Sequence, residues 1–178
     1  MTVDEINTMI RKLVRETLGM PENSVRSANQ TAPTGPQGEQ FATVLITMID
    51  ATGEDDRRLE NEAAPSLNVA ETITGQRRLL ASIQFFRGDA FLKACRLNTL
   101  MSMSAVVEKM QGLGLGLIRT SSARNLTAVI DAAWEARAQI DLEFHLVAKE
   151  VQSLPTFGRF PISVSTGSST TSSEVTAP

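Results

Sequence analysis

Ile6, Met9, Ile10, Leu13, Val14 and Leu18 recur at intervals of one to four residues, which on a helix gathers them into one apolar stripe. Thr2 stands three residues ahead of Glu5, the spacing at which hydroxyl and carboxylate each satisfy an orphan backbone N–H of a first helical turn. Gly19 and Pro21 then end the pattern. The pattern predicts a docked helix over residues 2–18, followed by a short strand at 24–27. Residues 28–40 are polar, rich in Pro and Gly and without period, hence a loop. From Phe41 the chain becomes β-branched and apolar (Phe-Ala-Thr-Val-Leu-Ile-Thr-Met-Ile), the composition of a mostly buried strand. That strand is expected to run out at Gly53 and the charged run Glu54-Asp55-Asp56-Arg57-Arg58.

Period two governs the next apolar stretch. Leu79, Ala81, Ile83 and Phe85 alternate with Leu80, Ser82, Gln84 and Phe86. Val69, Glu71 and Ile73 carry the extended pattern upstream, with Gly75 as a candidate bulge. Together with 55–62 this predicts a long hairpin projecting from the sheet into solvent. Gly88-Asp89 reads as the cap of a second helix with Ala90, Phe91, Ala94, Cys95, Leu97 and Met101 on its apolar face, Lys93 and Arg96 pointing elsewhere. Ser104 opens a third helix ending at Gln111-Gly112. Leu113, Leu115 and Leu117, alternating with Gly114 and Gly116, predict a strand with one bare face. Residues 119–127 read as a polar connection, and 128–136 suits a helix or a strand. A strand follows in which Ala138, Ile140, Leu142, Phe144 and Leu146 face one side and Gln139, Asp141, Glu143 and His145 the other. The result is a sheet with one apolar and one polar face.

Composition narrows the function classes. The 178 residues are 42% hydrophobic, enough for one domain with a real core and against wholesale disorder. A net charge of −3 excludes a binder held to nucleic acid by phosphate neutralisation alone. One cysteine excludes an internal disulfide framework and a cysteine zinc cage. One histidine and no tyrosine leave few parts for acid–base chemistry. Apolar runs fall far short of the roughly 20 residues that span a bilayer. Asp4 and Glu5 precede any apolar stretch, unlike a signal peptide. The expectation is a soluble protein of a reducing compartment with little catalytic equipment.

Each chemical constellation has a plainer reading beside it. Gly112-x-Gly114-x-Gly116 lacks the strand-to-helix setting of a dinucleotide loop, so close backbone packing or a bulge is expected instead. Asp141, Glu143 and His145 share a strand face, but neighbours there are nearly 7 Å apart and a metal would need ligands from a second element. A solvated or subunit-facing polar face is expected, with no metal and no cofactor. Cys95 would need His145 as its base, and is expected to be a small buried hydrophobe. Trp134 with Arg137 fits an interface anchor and a core plug equally. Arg57 and Arg58 belong to a charge run that reads as a solvated loop or as a polar contact between subunits. Eight of the thirteen residues from Thr166 to Pro178 are Ser or Thr, with Glu174 the one charge and Val175 the one larger apolar residue. Such a tail cannot offset its own ordering entropy. The division expected is a domain over 1–165 and a flexible tail over 166–178.

Several segments carry a resemblance: Ser82-Ile83-Gln84-Phe85-Phe86-Arg87-Gly88-Asp89-Ala90, Leu117-Ile118-Arg119, Arg124-Asn125-Leu126-Thr127, and the run from Trp134 to Phe144. In content and order they resemble the tail-terminator (neck terminator) family of tailed bacteriophages. There a strand ending in an aromatic-Gly motif leads into a helix, and an Asn-Leu-Thr turn precedes a Trp-x-x-Arg-Ala lead-in to an alternating strand. The resemblance covers about residues 1–152. Phe86 stands where a tyrosine is common, and neither 53–66 nor the Ser/Thr tail has a counterpart.

The resemblance implies an α+β fold, with helices on one face of a mainly antiparallel sheet, to which this chain would add its projecting hairpin and an extended C-terminal tail. It implies a homo-oligomeric ring of six copies at the head-proximal end of the tail tube, in the virion after assembly in the host cytoplasm. There the ring stops tube polymerisation and meets the tail tube protein, head-completion or connector proteins and, in a contractile tail, the sheath. DNA would pass through the lumen without sequence-specific binding, and no membrane and no catalytic residues are implied. Arg57, Arg58, Trp134, Arg137, Asp141, Glu143 and Val175 are the candidate interface residues, and the tail is expected to become ordered along a neighbouring subunit or neck partner. The alternatives are a head-completion (stopper) or head-to-tail joining protein and, from another class, a small metal- or nucleotide-dependent enzyme, against which the short inventory of ligands counts. A DNA-contacting component is disfavoured by the acidic balance.

Overall fold

The capping signal at the N-terminus works as its spacing requires. Glu5 N–H donates to Thr2 Oγ1 at 3.3 Å and Thr2 N–H donates to Glu5 Oε2 at 2.7 Å, opening helix α1 (Val3–Leu18). Gly19 closes it in the left-handed conformation, φ 64°. Ile6, Ile10, Leu13, Val14 and Leu18 are buried, so the stripe read from sequence is the docked face.

The computed structural model describes residues 2–28, 40–63, 68–130, 133–155, 159–166 and 169–176. After α1 and one 3₁₀ turn come β1 (Val25–Ser27), β2 (Phe41–Asn61) and β3 (Val69–Phe86). Helices α2 (Ala90–Leu100) and α3 (Ser104–Gly112) follow, then β4 (Leu115–Thr120), β5 (Arg124–Asn125), β6 (Ala128–Ile130) and β7 (Ala133–Glu135). The chain continues with β8 (Arg137–Leu154), β9 (Arg159–Thr166) and β10 (Ser169–Thr176). The class is α+β. No helix of the described residues is long and apolar enough to cross a membrane.

The principal sheet has the order β1-β2-β3-β8-β4, with β5 also on β8. Strand β4 runs antiparallel to β8, Leu115 opposite Leu146, with a register shift between Leu117 and Arg119. Strand β1 runs parallel to β2, Val25 opposite Ala42, which makes the sheet mixed. Thirteen residues separate β1 from β2, about the dozen that bringing the chain back for a parallel pair requires.

The chain forms two compact units, Met1–Glu54 with Gly75–Ala148, and Asp55–Thr74 with Lys149–Pro178. In the first, one apolar cluster joins Ile10, Leu13 and Val14 of α1, Ala94 and Leu97 of α2 and Met110 of α3 to the alternating residues of β3 and β8. Ile83, Phe85, Ile140, Leu142 and Phe144 are fully buried there, each worth about 1.5–3 kcal/mol of hydrophobic transfer. The second unit holds the far portions of β2, β3 and β8, the turn closed by Glu62 N–H donating to Asn68 O at 3.0 Å, and the β9–β10 pair.

Several expectations need correction. Strand β2 does not stop at Gly53 but passes through it at φ 80°, a conformation open to glycine, and continues to Asn61. The charge run is therefore an exposed strand, not a loop, because a strand with both faces in water accepts charge at every position. Residues 119–127 contain the end of β4 and all of β5, and 128–136 resolves into strands β6 and β7. On α2, Phe91 is 45% exposed and Cys95 is only partly buried, so the buried face is narrower than its apolar residues suggest. Asp89 makes no side-chain cap on α2, since its carboxylate accepts from Gln40. Gly112 ends α3 and Gly114 forms a left-handed turn at φ 70°, leaving only Gly116 inside a strand. Ser169–Thr176 is not an extended arm but pairs antiparallel with β9, since backbone hydrogen bonding does not depend on apolar side chains. Most of the 28–40 loop lies outside the described residues.

Candidate interaction surface

The face of β8 turned away from the apolar cluster carries Arg137, Gln139, Asp141, Glu143 and His145, because side chains alternate along a strand. Glu143 is only 4% exposed. A buried carboxylate needs charge partners, and two arginines supply them. Arg78 Nε of β3 lies 3.4 Å from Glu143 Oε1, and Arg119 Nε of β4 donates to Oε2. Arg78 also reaches Asp50 of β2 at 3.7 Å. Two residues along, Arg124 Nη2 donates to Asp141 Oδ2 at 3.0 Å, while Gln139 Nε2 donates to Asp141 Oδ1 and to Ser82 Oγ, each at 2.9 Å. The polar layer thus ties together neighbouring strands.

His145 stands apart, exposed, opposite Gly116 in the β4–β8 register. Cys95 sits on α2, whose buried residues join the cluster on the other side of β8, so the two are not brought together. Among the described residues no group of three His, Cys, Asp or Glu side chains could hold a metal ion.

A second constellation lies at the end of β3. Phe41 and Phe86 stack with centroids 4.6 Å apart and planes 7° from parallel. Arg26 and Arg87 lie 5.7 and 5.6 Å from the Phe41 centroid, and Arg137 lies 5.1 Å from that of Phe86. Cations over both rings stabilise the stack through the ring quadrupoles. Glu135 accepts from Arg137 Nη2 at 2.9 Å and lies 3.8 Å from Arg87 Nε. Here the Phe-Phe-Arg-Gly and Trp-x-x-Arg segments, far apart in sequence, meet. The turn beneath them is tight. Arg87 is left-handed at φ 66°, followed by Gly88 at φ 54°. Arg87 N–H donates to Ala136 O at 2.7 Å, and Gln40 Nε2 donates to Arg87 O at 3.0 Å.

The third feature is the β6–β7 hairpin, a two-stranded sheet of its own. The Asn-Leu-Thr turn leads into it: Asn125 Oδ1 accepts from Thr127 N–H at 3.0 Å, and Leu126 N–H donates to Arg137 O at 2.8 Å. Trp134 is opposite Val129 in register, and the two are 77% and 56% exposed, with Leu126 beside the hairpin at 41%. Trp134 is therefore no core plug.

Arg57 and Arg58 belong to the second unit, where Arg57 pairs with Glu71 and Arg58 Nε donates to Asp56 Oδ2 at 2.9 Å. Val175 falls opposite Phe160 in the β9–β10 register. Of the residues singled out from sequence, Arg137, Asp141 and Glu143 share one strand face, and Trp134 lies on the short strand just before it. Sequence reasoning missed the Phe41–Phe86 stack and the arginines that hold Glu143. The alternation of β3 puts Phe86 opposite to Phe85, but only strand order brings it to Phe41.

Comparison with known proteins gives one family. A family model described as phage neck terminator protein matches residues 4–168. No curated protein matches the chain. The matched span takes in 53–66, the stretch that had no counterpart in the resemblance, and extends past residue 152 into the Ser/Thr-rich segment.

Proposed function

The chain belongs to the phage neck terminator family, structural proteins of the virion neck that join tail and head components, and from that premise we propose that six copies form a ring on the head-proximal end of the tail tube. The ring stops tube polymerisation, and its other side receives the head-completion or connector proteins. Its lumen passes DNA without reading sequence, and no residue of the chain acts as a catalyst.

The observation that supports this best is the hairpin bearing Trp134, Val129 and Leu126. Exposed apolar groups clustered on a short hairpin mark an interaction surface, and tryptophan is a frequent anchor of such surfaces. The turn that leads into the hairpin is tied to β8, with Leu126 N–H donating to Arg137 O at 2.8 Å. A ring needs a head-to-tail contact in which one patch of each copy meets a different patch of the next. Trp134 supplies the first patch in this reading, with Arg137 fixing its base. Asp141 and Glu143 act within the subunit, holding the arginines of adjacent strands.

Native mass spectrometry and negative-stain microscopy of the purified protein test the reading. A species of six chains with a central hole is expected. Trp134→Ala is expected to shift the population toward monomer while leaving the melting temperature of the monomer within about 2 °C, since an exposed side chain contributes little to folding. A wild-type protein that stays monomeric at high concentration and does not cap isolated tail tubes would refute it.

A further inference from the structure

The β6–β7 hairpin is a two-stranded sheet outside the principal one. A hairpin of two strands is marginally stable by itself in water. Of its described side chains, Ala128, Val129 and Trp134 are exposed, so they do little to hold it in place. Its direction therefore depends on what grips its base.

Glu135, the last residue of β7, is gripped from two sides. Its Oε1 lies 3.8 Å from Arg87 Nε, and its Oε2 accepts from Arg137 Nη2 at 2.9 Å. Arg87 follows the end of β3 and Arg137 opens β8, so one carboxylate ties the hairpin to the ends of two strands of the principal sheet. The same two cations lie over the stacked rings of Phe41 and Phe86. Neither guanidinium can follow a moving hairpin without leaving its ring. All three charged side chains are only partly exposed, which limits the screening of the bridge by salt.

The backbone of Arg87 gives a second, independent sign. At φ 66° it is the one non-glycine residue with positive φ among the described residues. That conformation is strained for any side chain and free for glycine. Such strain persists where surrounding contacts demand it. Here the contacts are those of its guanidinium at Phe41 and Glu135, and of its N–H, which donates at 2.7 Å to the carbonyl of Ala136 between β7 and β8.

We propose that Glu135 is the positioning residue of the Trp134 surface. Bridging Arg87 and Arg137, it fixes the angle at which the hairpin offers Trp134, Val129 and Leu126 to the neighbouring copy, and does not touch that copy itself. The proposal rests on the ring reading with Trp134 as its patch, and adds what sets the direction of the patch. Without the carboxylate, two like charges meet at the base and the hairpin samples other directions. If the presented direction falls to about a tenth of the population, the apparent affinity of each contact falls about tenfold.

Trp134 is the chain's one tryptophan, so its fluorescence anisotropy decay reports on this hairpin alone. Glu135→Gln keeps the shape and removes the charge. Arg87→Gly removes one partner and relieves the left-handed strain, which separates positioning from stability. The decay is recorded for wild type and both variants at dilutions where native mass shows single chains. The fast nanosecond component is expected to grow at least about twofold in both variants, with melting temperatures within about 4 °C of wild type. Half-assembly of the ring is expected at a concentration about tenfold higher or more. An unchanged decay in either variant overturns the bridge. A freer decay with unchanged half-assembly, in a ring that Trp134→Ala does weaken, overturns its role in assembly. A ring indifferent to Trp134→Ala, or no ring at all, refutes the reading beneath the proposal, and the decay still decides whether Glu135 holds the hairpin.

Discussion

Gly88 occupies a position where two separate costs meet, and they can be pulled apart. Its φ of 54° is left-handed, where a Cβ costs about 1–2 kcal/mol. A Cβ built there would also lie 2.5 Å from Gln40 Nε2. That atom ends a flexible side chain, so the clash is relieved by swinging Gln40 away. The swing breaks the hydrogen bonds from Gln40 to Arg87 O and to the Asp89 carboxylate. Each is worth about 0.5–1.5 kcal/mol net. Gly88→Ala should therefore cost about 2–5 kcal/mol. Gln40→Ala alone removes the same two bonds without the strain and should cost about 1–3 kcal/mol. The double variant should be no less stable than Gly88→Ala, because the bonds it would lose are already gone. Urea melts of the four proteins close the cycle. Additive costs would show that Gln40 keeps its bonds beside an alanine, and the account of this turn would be refuted. Near-neutral Gly88→Ala would refute the left-handed geometry as well.

Three further outcomes follow from burial and charge. Leu13→Ala, at a side chain 1% exposed in the core, should cost about 2–5 kcal/mol in urea unfolding, against no measurable loss if the α1 stripe were a free surface. Arg119→Ala should cost less than about 1 kcal/mol because Arg119 is 76% exposed and Arg78 remains, whereas removing Arg78 and Arg119 together should cost about 3–5 kcal/mol by leaving Glu143 buried without a cation; Glu143→Gln in that double variant should recover part of the loss, and simple additivity would count against the shared site. Gly53→Ala should raise amide exchange around residues 50–57 through a left-handed strain of about 1–2 kcal/mol with no clash, since open space surrounds the added methyl, and unchanged exchange there would mean that β2 does not depend on this kink.

Most of the first unit could be read in the chain. Its elements bury one side and expose the other, so apolar spacing reports directly on them: the α1 stripe, the alternation of Leu79 to Phe85 and that of Ala138 to Leu146 are each the observed buried face. Capping chemistry is local, which is why Thr2, Glu5 and Gly19 could be placed without knowing the fold. The family too was legible, because the aromatic-Arg-Gly turn, the Asn-Leu-Thr turn and the Trp-x-x-Arg strand lead-in form one contact region in the folded chain. Two misreadings have one cause. Phe91 and Cys95 counted as core because they are apolar, yet α2 buries only the narrow side defined by Ala90, Ala94 and Leu97.

The second unit was read only in part, its hairpin expected but its charge run taken for a loop, for the opposite reason. Periodicity carries information only where one face is dry. From Glu54 to Asn61 each residue is exposed, so nothing in the alternation of polarity distinguishes strand from loop, and charge suggested the wrong one. The polar face of β8 hid its content similarly. Asp141, Glu143 and His145 look alike at two-residue spacing, but their environments are set by what adjacent strands bring: arginines from β3 and β4 at Glu143, Arg124 of β5 at Asp141, a bare glycine at His145. Strand order is a long-range property. Within a subunit, buried faces determine structure and leave their mark as pattern; at a strand edge the interacting groups belong to the backbone, which every sequence carries.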